Sequence, residues 1–187
     1  MTRAGRLPLL AALGLGALGL AGCGPARGPE ASELRNLSWL MAVPETAPAR
    51  LARAFRTTCL DTRADGAAIA AALALTDYVE LPAAGGGARR FVVDDMRPAV
   101  LVAETRAGRS CAVVARARTG QAARAARLAA ALPGAREVDA RRLAASAERA
   151  WRLPDGALVA THRHREPVRD DLFAIQYLRP LGSGAGA

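Results

Sequence analysis

The chain has 187 residues, 51% hydrophobic and 23% charged, with three Cys and a formal net charge of +9. A length like this suits one domain large enough to bury a real core. Such positive charge would ordinarily suggest nucleic acid, but all 26 basic residues are Arg, they are scattered, and aromatics make up only 4%. Arg and the abundant Ala both have GC-rich codons, and few aromatic side chains are available for base stacking. Nucleic-acid binding is therefore disfavoured, and the Arg forks suit the phosphates of anionic envelope lipids better.

Arg3 and Arg6 precede an apolar run from Leu7 to Leu20. That run is short for a bilayer span, which needs about 20 residues. It fits the apolar segment of an export signal followed by small residues at the cleavage point. The string Leu20-Ala21-Gly22-Cys23 resembles the lipobox of bacterial lipoproteins. The resemblance implies cleavage before Cys23, a diacylglyceryl group on its thiol and an acylated new amine. Several acyl chains hold well, since each buried methylene adds about 0.8 kcal/mol. Gly24 follows in place of Asp, which by the same resemblance favours the outer membrane over the inner. Cleavage would leave 165 residues and a charge of +7. The expected organisation is a signal peptide over 1–22, a lipidated tether and apolar lead-in over 23–45, a disulfide-braced domain over 46–181 and a flexible tail over 182–187.

Gly24, Pro25, Gly28 and Pro29 suit a tether, whereas Leu34, Leu37, Trp39, Leu40 and Met41 are apolar enough to pack onto the domain as a short helix or strand. Thr46 and Pro48 are expected to open a helix. Leu51, Phe55 and Cys59 share one face of it at i, i+4 and i+8. A second helix is expected from Asp65, its cap, to Leu75. Tyr78–Leu81 and Arg90–Asp94 read as strands around a Gly-rich loop. Ala99–Thr105 and Ser110–Ala117 read as a hairpin turning at Ala107-Gly108. Thr119 is expected to cap a helix running to Leu132, stopped by Pro133-Gly134. Ala140–Ala150 is expected as a further helix, with Leu143 and Ala147 inward. Ala157–Arg163 and Leu172–Arg179 close the domain as strands. Helices and strands do not alternate strictly, which predicts an α+β fold, a single domain with a mostly antiparallel sheet and helices packed on one face.

With Cys23 acylated, Cys59 and Cys111 remain. Disulfides persist outside the cytosol, and a structural bridge is the simplest use of two such Cys. Closing a loop of about fifty residues stabilises by about 4 kcal/mol in the chain-entropy model. Cys111, Val113 and Ala115 share a strand face, so the bridge is expected to staple the first helix to the sheet. No Cys-x-x-Cys supports redox work, and the distant His-x-His lacks zinc-site spacing.

His162 and His164, the two His of the chain, share a strand face like a two-ligand metal clip. Arg163 and Arg165 would crowd a cation there, and a solvated hairpin end near Asp170 and Asp171 is the plainer reading. Asp94-Asp95 reads as a turn before Pro98. Ser110 lacks a Gly-x-Ser-x-Gly setting. Arg116, Arg118, Arg124 and Arg127 make the densest basic group, a candidate contact for an anionic partner. The span 46–180, with Phe55, Cys59 and Cys111, resembles a group of small exported alphaproteobacterial proteins; that resemblance implies architecture and no activity. The resulting expectation is a non-enzymatic, periplasm-facing envelope lipoprotein, needing no cofactor, held to the membrane by lipid and binding an envelope protein or anionic polymer. The alternative is a periplasmic enzyme or metal-dependent hydrolase using His162 and His164.

Overall fold

The computed structural model describes residues 28–83, 87–106, 108–165 and 171–180. The expected signal peptide, Cys23 and the expected tail fall outside the described residues. Among the described residues the chain forms one eight-stranded sheet with short helices, a single α+β domain. The strands are β1 (Val79–Glu80), β2 (Arg89–Val92), β3 (Ala99–Thr105), β4 (Gly108–Arg116), β5 (Arg136–Val138), β6 (Ala147–Arg152), β7 (Leu158–His164) and β8 (Leu172–Pro180). Their spatial order is β1-β2-β3-β4-β8-β7-β6-β5. Every neighbouring pair is antiparallel. The longest ladder joins β4 to β8, so the most apolar strands occupy the sheet centre and the two shortest strands are its edges. Short edges offer little template for unwanted pairing.

The helices are α1 (Pro29–Asn36), α2 (Trp39–Ala42), α3 (Pro48–Ala54), α4 (Gly66–Ala74) and α5 (Gln121–Ala130). Helix α3 runs directly into a π-helical segment, Phe55–Leu60. This wider turn keeps Leu51, Phe55 and Cys59 fully buried, as their spacing requires. Cys59 is bonded to Cys111 of β4, with Cα atoms 5.3 Å apart, a normal disulfide separation. The bridge thus joins the first long helical element to the sheet centre.

The larger core lies on the first sheet face, where α3, the π-helical segment, α4 and α5 cover Val100, Val113, Trp151, Phe173, Ile175 and Tyr177. Helix α5 is Ala-rich on its inner side; Ala125 and Ala129 are fully buried and let the helix lie close. Asp65 caps α4 as expected, its carboxylate accepting from Ala68 N at 2.9 Å.

Three local expectations are corrected. Ala140–Ala150 is not a helix: only Ala140–Arg142 forms one 3₁₀ turn, and β6 begins at Ala147. Thr119 does not cap α5; Gly120 holds that position at φ 89°, left-handed backbone that glycine adopts readily. Helix α3 starts after Ala47, and Thr46 Oγ1 is buried without a partner among the described residues.

Candidate functional site

Side chains alternate across a strand, so the residues between those of the first face build a second face. In register across β4, β8 and β7 these are Ser110–Leu178–Leu158, Ala112–Gln176–Ala160 and Val114–Ala174–His162. Large residues fill the first face of these strands, whereas Ala and Ser recur on the second. Among the described residues the second face is covered mainly at its sides. On one side the lead-in packs Leu34, Trp39, Leu40, Ala42 and Val43 over Val79, Val92, Ala99, Val114 and Leu172. On the other, Ala140 and Leu143 pack against Ala150 and Ala160.

Between these covers the central strands floor a cleft. One part, about 450 Å³, is lined by Trp39, Leu101, Ala112, Ser146, His162 and Gln176 among others. A second, about 390 Å³, is lined by Ser110, Leu143, Leu158 and Leu178 among others. The two parts rest on adjacent cross-strand rows, so they adjoin. Each has the size of a small-molecule site.

The polar end of the cleft is built around His162. Its Nδ1 lies 3.2 Å from Ser146 Oγ. Its Nε2 is buried and has no hydrogen-bond partner among the described residues. The ring is only 7% exposed, so it is not the solvated hairpin end that the sequence suggests. His164 stacks beside it, centroids 6.2 Å apart and planes within 10°. Burial, and then the positive charge available at His164, push the His162 pKa below its ordinary value; the Gln176 side chain, close by but outside hydrogen-bond geometry to Nε2, and the Glu148 charge pull weakly the other way. A neutral imidazole has one donor and one acceptor nitrogen. With Ser146 serving Nδ1, Nε2 keeps one unfilled role in either tautomer. A buried polar group left so costs about 1–3 kcal/mol. No signal in the sequence separates this buried strand His from a solvated one.

Two imidazoles supply part of a zinc ligand set; among the described residues no group of three His, Cys, Asp or Glu could hold a metal ion. Asp170 lies outside the described residues. Asp171 is turned to the strand ends, where its carbonyl accepts from Ala117 N at 2.6 Å. Asp95 does form a turn, accepting from Arg97 N and pairing with the Arg97 guanidinium at 2.7 Å.

The four candidate arginines fall into two groups. Arg116 Nε donates to Val43 O at 3.1 Å, and Arg118 Nη1 stands 3.9 Å from Glu45 Oε2. Both therefore hold the lead-in. Arg124 and Arg127 project from the exposed side of α5, on the opposite sheet face from Val43. Gln121 is a residue that sequence reasoning missed. It is 1% exposed, accepts from Arg118 N at 2.8 Å and donates to Thr46 O and Arg116 O at 3.0 and 3.1 Å. It anchors α5, the β4 terminus and the lead-in to one another.

Comparison of the chain with protein-family models, with curated protein sequences and with solved structures finds no match in any of the three. Among the described residues no helix is long and apolar enough to cross a membrane.

Proposed function

We propose that this chain is a non-enzymatic cell-envelope lipoprotein, anchored through acylated Cys23, whose domain binds an envelope component in the second-face cleft. The observation that carries the binding half is the uneven cover of the sheet. The first face is sealed by helices, while the second is walled on both sides and left open over an apolar floor with one polar cluster. The lipobox-like string and the Cys59–Cys111 bridge support the anchoring half, since both suit an exported chain.

A photo-reactive residue placed at Leu178, in the full chain in cells, should attach to a partner; the same residue at Arg124 on α5 should not. Labelled palmitate should enter the wild type and not Cys23→Ser. Equal crosslinking from both positions would count against the cleft, and an unlabelled wild type against the anchor.

A second reading, an envelope hydrolase, has one observation in its favour: the Ser146 hydroxyl within hydrogen-bond reach of a buried imidazole beside the cleft. It requires turnover of a p-nitrophenyl ester that both Ser146→Ala and His162→Phe abolish. Turnover unaffected by either substitution ends that reading.

A further inference from the structure

The geometry points to an uncharged acyl lipid as the occupant of the second-face cleft, its hydrocarbon chain along β4 and β8 and its ester or hydroxyl group at His162 and Gln176. This deepens the binding reading above and rests on it. Three features carry it. First, the floor is small in the part beside the lead-in: Ala112 and Ala174 lie there with Trp39, Leu40 and Leu101, and the adjoining part is lined by Leu143, Leu158 and Leu178. A sheet face meant for water would be polar there, and one meant for a helix would carry larger side chains. Second, the residues lining the two parts follow one strand, from Leu172 and Ala174 to Leu178 and Pro180. From Leu172 to Pro180 strand β8 extends about 27 Å at 3.4 Å per residue, a shape suited to a chain and poorly to a compact ring. Third, the polar cluster holds no carboxylate and no Arg. Ser146, His162, His164 and Gln176 line it, and the nearby carboxylate of Glu148 is paired with Arg163 at 2.8 Å.

The unpartnered Nε2 of His162, in a ring more than nine-tenths buried, supplies the specific contact. It would take a hydroxyl in either tautomer, or an ester carbonyl when it carries the proton. Arg109 and Arg179 line only the adjoining part, Arg109 being held by Asp65 and Glu104, so a carboxylate or phosphate placed at His162 meets no Arg and only the exposed His164.

The test uses the full chain recovered from membranes into nanodiscs and a monoacylglycerol bearing a diazirine on its acyl chain. After irradiation, adducts are mapped by mass spectrometry. We expect them on Leu178, Leu158 and Leu40, with at least a fivefold loss in Ala112→Phe and in Ala174→Leu, two independent fillings of the floor. Excess unlabelled monoacylglycerol should compete, and the corresponding fatty acid should compete at least tenfold less well. Leu75 and Met96, exposed elsewhere on the surface, report collision with the disc lipid and should label equally in all variants. Adducts confined to Leu75 and Met96, or cleft adducts that both filled variants retain, would overturn the inference. Crosslinking from Leu178 to a protein in cells, with no acyl adduct in the cleft, would overturn it while leaving the tethered-binding reading in place.

Discussion

Gln121 commits its whole side-chain amide to three backbone groups, two at the end of β4 and one at Thr46. Replacing it with Ala leaves Arg118 N, Thr46 O and Arg116 O short of partners in a buried place. Gln121→Ala should therefore cost about 2–3 kcal/mol, more than a surface truncation; urea unfolding reads this directly, and a change below about 0.5 kcal/mol would contradict it. His162 makes the opposite kind of demand. Its folded pKa lies below the ordinary 6.5, so the unfolded chain binds the proton more readily. Its contribution is complete above pH 6.5 and is lost as pH falls through the lowered folded value. Stability should drop on acidification below pH 6.5, and His162→Phe should flatten that part of the profile; identical slopes in both proteins would refute the assignment. At this scale the two Cys were legible, because i, i+4, i+8 spacing and strand alternation both aim sulfur inward. The burial of His162 was not, since it comes from Ser146 and the lead-in wall, neither adjacent to it in the chain.

The elements were legible where local pattern and tertiary environment agree. The hairpin of β3 and β4, the Asp65 cap of α4 and the alternation of Phe173, Ile175 and Tyr177 each combine the two. Residues 140–150 show the reverse. Ala and Arg favour a helix there, but Trp151 must lie under the first-face helices and the segment must pair with both β5 and β7. Two-sided pairing fixes the strand, and Arg149 reinforces it by bonding both Glu137 oxygens at 2.8 Å and lying over Trp151. Strand β5 was missed for a related reason: three residues carry little pattern of their own. The bridge from the π-helical segment to β4 acts at this same scale. It spans 52 residues, so Cys111→Ala should lower unfolding stability by about 4 kcal/mol in the chain-entropy model. Chemical denaturation in the presence and absence of reductant checks this; equal midpoints would mean that the sheet holds the helix without the sulfur link.

For the molecule as a whole, the α+β class with its antiparallel sheet followed from element order. The cleft did not, because it is a gap between two covers that lie about one hundred residues apart in sequence. The same lead-in that walls the cleft begins close to the proposed anchor. Five residue steps separate Cys23 from Gly28, a reach of at most about 18 Å, so acylation at Cys23 would hold the start of the lead-in near the bilayer. A tethered domain with a chain-shaped cleft is a coherent device only if that attachment exists. Intact mass of the protein extracted from membranes tests it most directly. The account predicts a chain beginning at Cys23, heavier by a diacylglyceryl group and an amide-linked acyl chain, and lighter by the two hydrogens of the Cys59–Cys111 bond. A chain retaining residues 1–22, with no acyl mass and three free thiols, would contradict it.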